Sequence, residues 1–281
     1  MNRPAYQAYI SRTNLAGSGK ASSYVRALDL LCEMLRVHSV GFADCQKIWT
    51  VESVDRLQEL HLRVIEEQKK GSASIWNLPN IPPSYLQKGY CAAALRSYQV
   101  FLIEHGHAQR LLGIFATFND DESELPKHLS RKPDFPRFLF DDLDSLQGKD
   151  VRREVSQRVN QHVFRQMVLQ NYSNTCCITG LDVPEVNRAS HIVGWAKDES
   201  LRLDPRNGLC LSGTYDAAFD RHLLTLDDEY RIVLSRDLKD HYTSQAATDY
   251  FLRKEGERIT LPKAYLPKKE YLESHRKLGS F

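Results

Sequence analysis

The chain has 281 residues, enough for one large domain or two ordinary ones, and 42% of them are apolar and 26% charged, the balance of a water-soluble globular protein. The formal net charge of +2 excludes a globally basic polyanion binder, so any phosphate-binding surface must be a local patch. No run approaches the roughly 18 apolar residues of a membrane helix, and the start, MNRPAYQAYISRTN, has no apolar run of the signal-peptide kind. Cys32, Cys45, Cys91, Cys176, Cys177 and Cys210 are irregularly spaced, and reduced thiols in a cytoplasmic protein are expected.

In chain order, SSYVRALDLLCEMLR (22–36) sets Val25, Leu28, Leu31 and Leu35 on one stripe and predicts a helix capped by Ser22 or Ser23. VESVDRLQELHLRVIEEQKKG (51–71) predicts a second helix, with Ser53 as its cap and Gly71 as its stop. WNLPNIPPSYL (76–86) reads as a proline-rich loop, and GYCAAALRSYQVFLIEHGH (89–107) as a third helix. A helical domain is therefore expected over 1–125, with a recognition or dimerisation role by elimination. Residues 126–150 lie in a stretch of acidic runs and prolines and are expected to form a linker.

From 151 onward a second domain is expected, reaching to 281. VRREVSQRVNQHVFRQMVLQNY (151–172) returns to helical periodicity through Val155, Val159, Val163 and Met167 and is basic at its start. CCITG ends in a turn at Gly180. Residues 183–193 alternate as a strand ending near His191, LDPRNG (203–208) is a turn, and LCLSGTYDAAFDRHLL begins extended and becomes helical. Residues 225–235 form a hairpin turned by Asp227 and Asp228. His191, Asn207, Asp216 and Asp220 thus fall on a strand, a turn and a helix in that order, and the two aspartates, four apart, share a helix face. Taken singly each has a bland explanation: a structural histidine, an Asn-Gly turn, exposed carboxylates.

Together they resemble the HNH nuclease superfamily, whose core is a ββα-metal finger. QHVFRQMVLQNYSNTCCITG (161–180), RASHIVGW (188–195), NGLCLSGTYDAAFDRHLLTLDDEYRIVLS (207–235) and the LPKAYLPKKEYLESHRKLGSF tail are similar to bacterial HNH proteins of the restriction-endonuclease type. The fold implied is α+β: a helical N-terminal domain followed by an HNH domain. The function implied is metal-dependent hydrolysis of DNA phosphodiester bonds, in restriction or defence. His191 would be the general base, Asn207 would fix the loop and orient it, and Asp216 and Asp220 would hold Mg²⁺, with Mn²⁺ as a substitute. Arg221, Arg152 and Arg153 would contact the DNA. The implied partner is double-stranded DNA, with a homodimer serving both strands. Many relatives carry Asp or His before the base; here Ser190 stands there, a weak neutral ligand at best. His222 stands where the family has Gly; an exposed side chain without a role is expected, with a substitute metal ligand or a DNA contact as the alternatives. With no Cys-x-x-Cys pair, structural zinc is not expected. The alternatives are a degenerate HNH module that binds DNA without cutting it, favoured by Ser190, and a nuclease acting on RNA.

Overall fold

The computed structural model describes residues 2–13, 19–118, 122–130, 135–139 and 145–281, with the backbone alone for 137 and 145–152. The chain folds as two compact units, Met1–Gly106 with Pro133–Arg152 and His107–Lys132 with Arg153–Phe281. The stretch expected as a linker is divided between them.

The first unit is helical. Its elements are α1 (Arg3–Thr13), α2 (Lys20–Val37), α3 (Val54–Lys69), the short α4 (Ser84–Gln87) and the start of α5 (Tyr90–Thr117). Leu28, Leu31 and Leu35 of α2 are fully buried, as the stripe predicts. The helix begins two residues before the expected cap: Gly19, in a left-handed conformation, precedes it, and the Ser22 hydroxyl instead donates back to the Gly19 carbonyl. Ser53 does cap α3, accepting from the Arg56 amide at 3.2 Å. The helix α1 was not foreseen, because only Tyr6 and Ile10 of it are buried and the rest carries no apolar stripe. Tyr6 packs edge-on against Tyr98 and Phe101, with centroids 5.3 and 5.4 Å away.

The second unit begins with the end of α5 and contains α6 (Leu125–Leu129), the main part of α7 (Ser145–Asn171), β1 (Asn187–His191), β2 (Gly208–Ser212), α8 (Gly213–Asp220), β3 (Leu224–Leu226), β4 (Ile232–Leu234), α9 (Arg236–His241), α10 (Gln245–Tyr250) and α11 (Lys269–Arg276). Leu125 and Leu129, one turn apart on α6, are both fully buried. The strands β1 and β2 pair antiparallel, with His191 opposite Gly208 and Asn187 opposite Ser212. A second antiparallel pair joins β3 to β4. The helix α8 follows β2 without a loop and contacts both β1 and β2. Mixed helices and small sheets make this an α+β protein.

The core of this unit is built by α7. Val155, Val159, Val163, Phe164, Met167 and Val168 are buried. Their approach to the sheet is so close that a Cβ on Gly208 would lie 2.9 Å from the Phe164 ring and nearer still to the Val168 methyl. Gly208 has ordinary extended angles, φ −131° and ψ 142°. Glycine is needed there for its missing side chain, not for a turn. Among the described residues no helix is long and apolar enough to cross a membrane.

Candidate active site

An open cleft of about 450 Å³ lies on the second unit. Its lining includes Phe164 and Arg165 from α7, Arg188 to His191 from β1, Gly194 and Trp195 after it, and Asp216 and Asp220 from α8. Three of the sequence-predicted residues, His191, Asp216 and Asp220, therefore border one space.

His191 ends β1, half-buried. Its imidazole lies flat on the Phe164 ring, centroids 3.6 Å apart, and the Trp195 ring stands edge-on to it at 5.2 Å. These neighbours strip water from the ring, and burial pushes its pKa down from the usual 6.5 to about 4. The Nε2 atom lies 3.2 Å from the Arg202 carbonyl oxygen. A carbonyl can only accept, so Nε2 carries the proton and donates. In the neutral ring Nδ1 then keeps the lone pair and is the basic nitrogen.

The loop that supplies the Arg202 carbonyl is tied down by side chains. Arg202 Nε donates to the Trp195 carbonyl at 3.1 Å, and its guanidinium stands 5.2 Å from the centre of the Trp195 ring. Asn207 is buried and fully engaged. Its Oδ1 accepts from the Val193 amide at 2.8 Å, and its Nδ2 donates to the Val193 and Leu201 carbonyls at 3.1 and 3.2 Å. None of these hydrogen bonds goes to the imidazole. Asn207 clamps both ends of the loop, at Val193, two residues after His191, and at Leu201, next to Arg202.

Asp216 and Asp220 sit one turn apart on α8. Ser190 is buried, and its hydroxyl donates a short hydrogen bond to Asp216 Oδ1. The Ser190 hydroxyl thus contacts a neighbouring carboxylate, a contact that only the folded strand and helix reveal. Burial and then the charge of Asp216 raise the Asp220 carboxyl above its usual range. Two carboxylates that oppose each other's charge, open to one cleft, are a donor set for a hard divalent cation. Among the described residues no group of three or more His, Cys, Asp or Glu is arranged as a metal cage, so these two oxygen donors leave the other positions on such an ion to water or substrate. On chemistry and placement the pair fits a hard divalent cation.

The basic residues chosen from sequence are placed differently. Arg221 is exposed, caps the end of α8 and donates to the Ala217 carbonyl at 2.9 Å; it does not line the cleft. Arg153 is exposed and also lies outside the cleft lining. The Arg152 side chain lies outside the described residues. Two other arginines, Arg165 and Arg188, border the cleft. The first appears in the sequence as one of several basic residues on a helix, and the second sits in the strand pattern just before His191. His222 is not an exposed bystander: it is half-buried, and its Nδ1 lies 3.1 Å from Nε2 of His275 in α11. It adopts φ 54°, a left-handed conformation that glycine takes more readily. Cys176, Cys177 and Cys210 are buried thiols, and Cys176 Sγ accepts from the Ser212 amide at 3.1 Å.

Residues 176–227 match the family model of the HNH endonucleases. That segment holds β1, β2, α8 and all of His191, Asn207, Asp216 and Asp220, so the similarity to HNH endonucleases is carried by this part of the chain. No curated protein matches the chain.

Proposed function

We propose that the protein is a metal-dependent endonuclease that hydrolyses phosphodiester bonds of double-stranded DNA, with β1, β2 and α8 acting as the ββα-metal finger. The observation that supports this most is the meeting of His191 from β1 with Asp216 and Asp220 from α8 at one open cleft.

His191 takes the proton of the attacking water at Nδ1. The ring can do so because its Nε2–H is already committed to the Arg202 carbonyl and because burial keeps it neutral. Asn207 holds the loop so that this carbonyl stays in place. Asp216, fixed by Ser190, and Asp220 would hold a divalent ion, Mg²⁺ or Mn²⁺, which would supply charge neutralisation for phosphodiester hydrolysis. The openness of the cleft suits a polymer that must lie across it rather than a small molecule enclosed within it. Cutting both strands calls for two such sites, which is the reason to expect a pair of chains, and a restriction or defence role is what the sequence resemblance to restriction-type HNH proteins implies.

A second reading, DNA binding without cleavage, is favoured by one observation: Ser190 stands beside the base and is occupied by Asp216, leaving two carboxylates as the ionic donors. Nicking of supercoiled plasmid by the full chain in Mg²⁺, Mn²⁺ or EDTA separates the two. The nuclease reading expects open-circular product in either metal and none in EDTA. Retarded but uncut plasmid under all three conditions would establish the second reading.

A further inference from the structure

The cleft holds two carboxylates and a neutral imidazole, yet the proposed substrate is a polyanion. The metal offsets the carboxylates, but a duplex lying across the cleft presents further phosphates beside the scissile one, and these need a cation of their own. Two arginines border the cleft. Arg165 is committed: one guanidinium nitrogen donates to the Asn187 carbonyl at 2.6 Å and another to the Pro184 carbonyl at 2.7 Å, pinning the chain that enters β1. Arg188 is exposed, and among the described residues it makes no side-chain hydrogen bond and no ion pair, although two carboxylates border the same cleft. It stands three residues before His191 on the same strand, roughly 10 Å along it. Both residues border the same cleft, and at this displacement along the strand a guanidinium would meet a phosphate beside the reacting one rather than the reacting phosphate itself.

We propose that Arg188 is a DNA-contact residue of this site, its guanidinium binding a phosphate adjacent to the scissile one and setting the position of the strand in the cleft. The inference rests on the nuclease reading for its substrate. A guanidinium suits the task because it stays charged and offers a planar fork of donors to two phosphate oxygens. Its contribution is to binding and placement, since a phosphate contact positions the duplex without reading its sequence. The strand β1 then carries, in four residues, a phosphate grip at Arg188, an anchor for a carboxylate at Ser190 and the base at His191.

The test uses the full chain and a short duplex DNA. Binding is measured as a function of salt for a cleavage-dead His191→Ala background and for the same background with Arg188→Ala or Arg188→Lys. Cleavage is measured separately for the single Arg188 variants. Arg188 is exposed, so both substitutions should leave the thermal melt unchanged, and the melt is checked. Loss of one phosphate contact should flatten the log–log salt dependence by about 0.9 and weaken binding about tenfold at moderate salt. Lysine should restore the slope, because the charge returns, but only part of the affinity. In the single Arg188→Ala variant KM should rise while kcat changes little. An unchanged slope in the alanine variant overturns the assignment of Arg188 even if the protein cuts DNA. Slope loss in a protein that never cuts leaves Arg188 as a DNA contact and removes the nuclease reading. No binding of duplex by the background protein overturns both.

Discussion

The imidazole of His191 rests on the ring of Phe164, with centroids 3.6 Å apart and planes within 14° of parallel. The same Phe164 ring fills the space that a side chain on Gly208 would need, and Gly208 is the residue paired with His191 across the sheet. A helix, a strand partner and His191 are thus held in one stack.

That stack predicts that Gly208→Ala damages the site through Phe164 and Val168, without altering any polar group. Overpacking at such a point costs about 1–3 kcal/mol, and the Phe164 ring must move. A lowered melting temperature together with a loss of cleavage greater than tenfold is expected. Val168→Ala, which clears the nearer clash, should recover part of the stability when combined with Gly208→Ala. Wild-type activity in Gly208→Ala would show that the close approach of α7 does not hold the base.

The depressed pKa of His191 predicts an unusual acid limb. With a value of about 4, the ring remains an unprotonated base well below the 6.5 at which a solvated imidazole loses that ability. The acid limb of kcat/KM should therefore fall below 6.5. Phe164→Leu, which removes the flat cover and lets water reach the ring, should move it upward. Stability runs in the same window. Between 6.5 and about 4 the unfolded chain binds a proton that folded His191 does not, so stability falls as pH drops through this range, by at most about 3 kcal/mol. His275, held near 4 by burial and by His222, acts with the same sign. A folded protein whose stability is flat from pH 7 to pH 4.5 would contradict both assignments.

Asp216 and Asp220 are predicted to act as one unit. Calorimetric titration with Mn²⁺ should show one site per chain, weakened severely by Asp216→Ala or by Asp220→Ala, with the double variant little worse than either single one. Ser190→Ala should weaken Mn²⁺ more modestly, since it frees Asp216 without removing its carboxylate. Unchanged Mn²⁺ affinity in both aspartate variants would refute the shared site.

Asn207→Ala is predicted to cost about 1–3 kcal/mol, because it leaves the Val193 amide and the Val193 and Leu201 carbonyls without their side-chain partner. The loss of kcat should exceed the loss of stability, since the Arg202 carbonyl is no longer held against the imidazole. Asn207→Asp keeps the acceptor for the Val193 amide but loses both donors, and should be no better in turnover. Equal kcat in the wild type and both variants would leave Asn207 with a purely structural part.

Much of the site is legible in sequence because it depends on local spacing. His191, Asn207, Asp216 and Asp220 fall on one strand, one turn and one helix, and a period of four places the aspartates together whatever else the chain does. The helices α2 and α3 are legible for the same reason, through a stripe and a cap. What stays hidden is set by contacts distant in sequence. Ser190 looks like a missing ligand until Asp216, 26 residues on, is folded against it. Asn207-Gly208 looks like a turn until α7 arrives at the glycine. The His222–His275 contact joins residues 53 apart. Arg221 is an attractive phosphate ligand by adjacency to Asp220, but the end of α8 turns it onto its own backbone.

The most direct measurement is nicking of supercoiled plasmid in Mg²⁺ by the wild-type chain and by His191→Ala, with DNA binding and thermal stability of both measured alongside. His191 as the general base predicts a rate reduced by about 10² to 10⁴, with binding within a few-fold of wild type and the melt preserved. Near-normal turnover by His191→Ala would contradict the account.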